Sequence, residues 1–294
     1  MRYVLITPAR NEELHLERTI GSVLAQTILP ERWVIVSDGS TDRTDEIARE
    51  CSTRHGWVRL IRMPEHADRQ FAAKARCFNA GLDSLGSVPH EIIGNLDADL
   101  SFEPDVMEFL LGRFERDPKL GVAGVPFVEE VSGAYDYRFT NIEHVSGACQ
   151  LFRRECFQAV GGYKPIRGGG IDWLAVTTAR MMGWKTRTFT EKLVFHHRGI
   201  GTGGGKRLGA LIGQGRKDFY LGNHPFWEAS RILYQMRYRP YGIGGLAILT
   251  GYLAAYVSRE KKPASPEVIR FIRREQMRRL GAALRGQKAA GHEG

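Results

Sequence analysis

Apolar residues over the first hundred positions cluster in short runs, separated by longer stretches in which they recur every three or four residues. The runs at 2–7 (RYVLIT), 33–37 (WVIVS), 57–63 (WVRLIRM) and 91–96 (EIIGNL) have strand length. Between them, Leu16, Ile20, Val23 and Leu24 mark one face of a helix, a second helix is predicted over 41–51 behind the capping candidates Ser40 and Thr41, and a third over 68–85. Strands alternating with helices imply right-handed crossovers and a parallel sheet, so the fold class is α/β. Ligands in such sheets bind beyond the carboxyl ends of the strands. The loops at 7–12, 37–42 and 97–99 are therefore expected to line one crevice.

Charge changes the picture at the other end. The formal net charge is +9, yet from Phe226 onward there are 13 Lys and Arg against 5 Asp and Glu, so the basicity belongs to the tail. A division at 1–225 and 226–294 follows, with the second part a basic helical extension. Residues 240–258 are uncharged and bracketed by Arg239 and Arg259. As a helix they would run about 28 Å, marginal for spanning a bilayer, and four glycines weaken them further. With basic flanks and tyrosines the segment suits an interfacial or re-entrant place on an anionic membrane leaflet, followed by a basic amphipathic helix at 267–285. Packing on the catalytic domain or on a dimer partner is the other reading. No nucleic-acid module is recognisable, so nucleic acid is not an expected partner. Cys51, Cys77, Cys149 and Cys156 have no CxxC spacing and indicate neither a disulfide framework nor a zinc site. A reducing compartment fits, and no signal-peptide pattern opens the chain.

The stretch LDADL carries the candidate chemistry. Asp97 and Asp99 follow an apolar strand, and residues two apart in an extended segment share a face. A divalent cation between them, Mn²⁺ or Mg²⁺, would cancel their repulsion and leave coordination sites for a diphosphate. An exposed acidic loop is the alternative, but the position after a buried strand in an α/β pattern favours the cation.

Several ordered motifs resemble the family 2 glycosyltransferases of the GT-A fold: TPARNEE (7–13), VSDGSTDRT (36–44), KARCFNAGL (74–82), LDADLSF (96–102), VSGACQLFRRECFQAVGGY (145–163) and GIDWLAVTTARMMGWK (170–185). The resemblance spans about residues 3–200 and implies a Rossmann-like, mostly parallel sheet with flanking helices plus a C-terminal helical extension. By it, Thr7, Pro8, Arg10, Asn11 and Glu12 line the base and ribose pocket. Asp38 takes the uracil imide or the ribose, Lys74 meets the diphosphate, and Asp97, Ala98 and Asp99 form the metal-and-donor loop. Asn79 either contacts the donor or holds a loop. Gly147 and Trp173 lie on the acceptor side, and Asp172 is the general base for an inverting displacement. The family usually shows Glu-Asp there and often an Arg further on, where this chain has Ile171 and Thr178. Helix capping is the structural alternative for Asp172. His196 is implied as a third metal ligand, while His197 meets phosphate or faces solvent. GIGTGGGKR (199–207) is not a Walker loop and reads as a lid that brings Lys206 or Arg207 to the donor, or as a plain linker.

The expected function is an inverting, metal-dependent glycosyltransferase. Its donor is a nucleotide sugar, UDP-linked, and its acceptor a lipid-linked or polysaccharide hydroxyl in surface-glycan synthesis at the cytoplasmic face of the membrane. A nucleotidyltransferase is the rival enzyme; it requires a glycine-rich, Arg-containing fingerprint that ARNEE lacks. A glycan-binding module with a decayed site is the non-enzymatic alternative.

Overall fold

Tyr3, Val4, Leu5 and Ile6 are completely buried and all five residues of IIGNL are buried, so these strands show no alternation of burial. That is the signature of central strands covered on both faces by helices. The computed structural model describes residues 1–65, 71–129, 133–134, 142–197, 204–239 and 241–285. In chain order its elements are β1 (Tyr3–Ala9), α1 (Leu16–Leu24), β2 (Arg32–Asp38), α2 (Thr44–Arg54), β3 (Val58–Met63), α3 (Phe71–Asp83), β4 (Ile92–Leu96), β5 (Leu100–Phe102), α4 (Val106–Arg116), β6 (Leu120–Gly124) and β7 (Phe127–Glu129). There follow β8 (Gly133–Ala134), β9 (Cys149–Arg153), α5 (Arg154–Val160), α6 (Ile171–Met181), β10 (Lys185–Thr188), β11 (Val194–His196), α7 (Gly204–Tyr220), α8 (Pro225–Gln235), α9 (Ile243–Val257) and α10 (Pro266–Leu284).

The main sheet has seven strands in the order β10-β6-β9-β4-β1-β2-β3. It is a mixed, mostly parallel sheet flanked by helices, and further helices follow it in the chain. Strand β9 runs antiparallel to both its neighbours, β4 and β6, which the crossover pattern of the first hundred residues had no means of announcing. A smaller sheet, β5-β11-β7-β8, pairs β11 antiparallel to β5 and so returns the chain from beyond residue 190 to the end of β4.

Helix α1 buries Leu16, Thr19, Ile20 and Val23, one face at helical spacing, against the core that Trp33, Ile35, Ile92 and Leu96 share. Each large apolar side chain so buried stabilises the fold by about 1.5–3 kcal/mol. Helix α2 begins at Thr44, later than expected, because Asp42 and not Ser40 or Thr41 supplies the turn: Thr44 N–H donates to Asp42 Oδ1 at 3.0 Å. The expected start of the third helix, 68–70, lies outside the described residues.

By its contacts the chain divides into two units, one of residues 1–167 and 171–199, the other of 168–170 and 200–294. Residues 199–203 of the expected lid lie outside the described residues, and from Gly204 the chain is helix α7. Within the second unit, α7 and α9 touch backbone to backbone: a Cβ on Gly215 would stand 1.9 Å from the Ile248 carbonyl oxygen, and one on Gly251 1.9 Å from that of Ile212.

The same unit buries a charged cluster. Glu228 is 1% exposed; Arg231 Nη1 lies 2.6 Å from Asp218 Oδ2 and 3.8 Å from Glu228 Oε2. Burial, then the nearby Asp218 charge, push the Glu228 carboxyl up to about 7, with Arg231 and Asn223 opposing. The folded chain thus binds this proton more tightly than the unfolded chain, whose ordinary value is 4.5. Stability from this group is fully present below the unfolded value and is lost as pH rises through the folded one. Glu228→Gln should therefore flatten the fall in melting temperature between about pH 5 and pH 7 and stabilise the protein above that window by about 1–3 kcal/mol. Thermal melts of both proteins across the window check it, and parallel curves would count against it.

Candidate active site

At the carboxyl ends of β1 and β2 two loops are stitched together by side chain to backbone hydrogen bonds. Asn11 N–H donates to Ser40 Oγ (3.2 Å), Glu12 N–H to Thr44 Oγ1 (2.7 Å) and Glu13 N–H to Asp42 Oδ2 (3.1 Å), while Thr41 N–H returns one to Asn11 Oδ1 (2.9 Å). Asn11 takes a left-handed φ of +53°, which asparagine tolerates better than most residues. The lacing holds the two loops together at the end of β2, where Asp38 sits. Asp38 is held from two sides: Cys77 Sγ donates to Oδ1 at 3.3 Å, and Arg10 Nη1 lies 3.7 Å from Oδ2. Burial, with Asp38 adding to it, pushes the Cys77 thiol well up, so it stays a protonated donor. Thr7 is completely buried, and its hydroxyl accepts from Trp33 Nε1 at 2.9 Å; the side chain is committed to the core. Pro8 and Arg10 remain partly exposed.

The second half of the site forms where β4 ends. Residues 97–99 are a turn between β4 and β5, which corrects the expectation that Asp97 and Asp99 share the face of an extended segment. They converge for another reason. Pairing of β11 with β5 sets His196 opposite Leu100, and His197 N–H donates to the Asp99 carbonyl, bringing His196 Nε2 to 3.4 Å from Asp99 Oδ1. Asp97, Asp99 and His196 thus offer ligand atoms that all lie within 4.8 Å of one another. Ligand distances of about 2.0–2.6 Å, as hard cations take, span that separation. Two carboxylates and an imidazole suit Mn²⁺, and Mg²⁺ with added water. The residues fit a divalent cation. Ala98, between the carboxylates, is buried.

Lys74, on α3, points into this acidic cluster. Its ammonium pairs with Asp97 Oδ1 and donates to the Gly147 carbonyl at 3.2 Å. Burial works against the ammonium, but the Asp97 carboxylate outweighs it and holds the lysine above its ordinary value. Burial also raises the Asp97 carboxyl, with Lys74 opposing and the Asp99 charge adding. Gly147 then ties the cluster to Asp172. Its carbonyl accepts from Lys74 and Asn95 Nδ2, and its N–H donates to Asp172 Oδ2 at 2.9 Å. Asp172 lies in the first turn of α6, and Trp173, partly exposed, follows it. What orients Asp172 is this backbone N–H. Ile171 is buried, and Thr178 spends its hydroxyl on the Leu174 carbonyl one turn back.

Other expected residues take plainer places. Asn79 Nδ2 donates to the Tyr163 carbonyl at 3.2 Å and so holds a loop. His197 is not a member of the three-ligand group and is partly exposed: Nε2 lies 2.8 Å from Ser101 Oγ, Nδ1 3.3 Å from Arg18 Nη1, and its ring stacks on His15. Cys77 and Asn95 were missed by sequence reasoning. Their motifs, KARCFNAGL and GNLDAD, contain them, but only the helix α3 register and the β4 pairing show what they touch.

The family model described as glycosyl transferase family 2 matches residues 4–161, which excludes Asp172 and His196. Poly-beta-1,6-N-acetyl-D-glucosamine synthase of Staphylococcus epidermidis is 23% identical over 210 residues, 65% of this chain and 47% of that protein. The 4,4'-diaponeurosporenoate glycosyltransferase of Staphylococcus aureus is 24% identical over 196 residues, 60% of this chain and 50% of that one. The chain spans about half the length of these curated relatives. Among solved structures, the mannosyltransferase PcManGT from Pyrobaculum calidifontis, in complex with GDP-Man and Mn²⁺, superposes with a TM-score of 0.58 at 19% identity, covering 98% of this chain and 81% of that one. Staphylococcus aureus TarS 1-349 in complex with UDP-GlcNAc gives 0.56 at 14% identity, covering 88% and 73%. At such identities the likeness is one of fold. The sequence match runs from β1 through α5, more than half the chain, and takes in both laced loops, the Asp97 turn and Gly147: the chain belongs to glycosyl transferase family 2.

Proposed function

We propose that this chain is an inverting, divalent-metal-dependent glycosyltransferase that moves a sugar from a UDP-linked donor to a hydroxyl of a lipid-linked or polysaccharide acceptor. The observation that carries the reading is one local arrangement: a three-ligand group, Asp97, Asp99 and His196, and a separate carboxylate, Asp172, joined through Lys74 and Gly147. The names of the relatives, and the nucleotide sugars bound to PcManGT and TarS, support the class of donor.

Asp97, Asp99 and His196 would hold the cation, which when bound supplies positive charge to the departing diphosphate. Asp38, steadied by Cys77 and Arg10, accepts from the uracil imide N–H. Lys74 adds a cation beside the same phosphates. Asp172 takes the proton of the acceptor hydroxyl at Oδ1, because Oδ2 already accepts from Gly147 N–H. The acceptor oxygen bonds to the anomeric carbon as the bond from that carbon to the diphosphate oxygen breaks on the opposite side, which inverts the configuration. Trp173 offers a surface for an acceptor ring.

The test is turnover of UDP- and GDP-sugars with Mn²⁺, with and without excess chelator, and the anomeric configuration of the product by NMR. Inverted product that disappears with chelator is expected. Retained configuration, or undiminished turnover in chelator, overturns the mechanism; a donor bound but never consumed would leave a binding module.

Gly147 gives a finer check. A Cβ there would stand 3.0 Å from Asp172 Cβ and 3.2 Å from Oδ2, so Gly147→Ala must displace the carboxylate by a few tenths of an ångström. Transfer should slow about tenfold to a hundredfold with donor affinity little changed, because the base and not the donor pocket has moved. Parallel loss of donor affinity in calorimetry would assign Gly147 to the donor side.

A further inference from the structure

We propose that the outer face of α9 is a docking surface for an anionic phospholipid bilayer, in which the helix lies parallel to the membrane plane. This inference concerns the second unit and is independent of the reaction assigned to the first.

Helix α9 is apolar all round, and residues 240–258 carry no charge. Such a helix is normally enclosed. Here one face, Gly244, Ile248, Gly251 and Ala255, is buried, while Ile243, Leu246, Leu253 and Val257 form an exposed stripe on the other side, within which the Thr250 hydroxyl turns back to donate to the Leu246 carbonyl. Leu246 is 54% exposed and Val257 78%. The helix has no freedom to roll that stripe inward. Backbone contact at Gly215 and Gly251 locks its opposite face on α7, and a change of face would separate those glycines. At 15 residues the helix is about 22 Å long, short of the roughly 30 Å hydrocarbon core, and no described helix is long and apolar enough to cross a membrane. An apolar stripe on a helix of this length fits an in-plane position, buried on one side only.

Charge selects the partner. Residues 204–285 hold 16 Lys and Arg against 5 Asp and Glu, and all five carboxylates stand in ion pairs with arginines of the same unit. The net charge of these residues is positive, and basic side chains bracket the stripe: Arg237 is exposed before α9, Arg259 and Lys261 after it. Tyr241 and Tyr256, also exposed, have the apolar ring and polar tip suited to the headgroup level. A second copy of the chain, packed stripe to stripe, would bring these cations against one another; anionic headgroups would neutralise them.

Co-sedimentation with phosphatidylcholine vesicles, and with vesicles that also contain phosphatidylglycerol, tests the proposal on the full chain. Binding to the anionic vesicles should be at least about tenfold tighter and should weaken with salt. Leu246→Glu with Leu253→Glu should reduce it by about tenfold or more at unchanged circular dichroism, since both positions are exposed in the folded protein. Leu253→Trp keeps the stripe apolar, and the emission this substitution adds to the wild-type spectrum should shift to the blue on anionic vesicles. Failure of the wild type to bind, equal binding to both vesicle types, wild-type sedimentation of the double Glu variant, or no blue shift of the added emission in Leu253→Trp would each overturn the idea. So would a wild-type dimer in light scattering that the double Glu variant dissociates without loss of vesicle binding, which would assign the face to a second copy.

Discussion

Asp172→Asn is expected to slow sugar transfer by about 10²- to 10⁴-fold while leaving donor and cation affinity within about twofold of the wild type. Asparagine keeps the volume of the side chain, and its carbonyl oxygen still accepts from Gly147 N–H, so the 2.9 Å contact that sets the position of the group survives. What is lost is the second carboxylate oxygen as a proton acceptor. Chemistry and geometry are thereby separated, which an alanine in the same place would not achieve, because it would also release Gly147 and through it Lys74 and Asn95. Transfer rates measured at saturating donor, with donor affinity from calorimetry, decide the matter. Full transfer by the Asn variant would reduce Asp172 to a structural residue of the α6 amino terminus, and matched losses in rate and donor affinity would place it in the donor pocket.

Much of this site was legible because its residues sit at strand ends, where short apolar runs are easy to recognise and the following loop must face the crevice. Asp38, Asp97 and Asp99 belong to that class, and His196 does too once β11 is seen as a strand. The illegible part depends on pairings between distant segments. An extended LDADL segment would place Asp97 and Asp99 on one face, whereas the chain turns between them and β11 arrives antiparallel to β5 to complete the group. Thr7 looked like a pocket residue by its place in a loop motif, but β1 extends to Ala9 and Trp33 of β2 takes its hydroxyl. Gly147 was legible as part of a motif and not as the donor that orients Asp172, because a glycine gives no side-chain sign of what its backbone does. The uncharged run at 240–258 reads as one element, and only the structure shows that 15 of its residues form the helix and that half of that helix is covered.

Asp97→Ala and Lys74→Met are expected to move cation affinity in opposite directions, and this pair bears most directly on the crevice. Asp97 is one of the three residues proposed to hold the cation and the partner of the Lys74 ammonium. Its loss removes a carboxylate and leaves Lys74 without its ion-pair partner, with only the weaker charges of Asp172 and Asp99 nearby. Changes in the outer shell of a metal site cost about 10- to 100-fold in affinity, and a ligand should cost at least as much. Mn²⁺ affinity in Asp97→Ala should therefore fall by a hundredfold or so, with transfer following it down. In Lys74→Met the two carboxylates remain and Asp97 loses the ammonium that pairs with it. An ammonium at about 4 Å from a site of this kind is worth about 2–8 kcal/mol of repulsion to an incoming divalent cation, so Mn²⁺ should bind about tenfold tighter or more. Transfer should nonetheless fall, because the same ammonium is then missing when the diphosphate departs. Titration of Mn²⁺ into the three proteins, followed by paramagnetic resonance, reads the affinities without any need for turnover. Three indistinguishable affinities would remove the cation from Asp97, whereas opposite shifts leave the ion and Lys74 competing for one carboxylate.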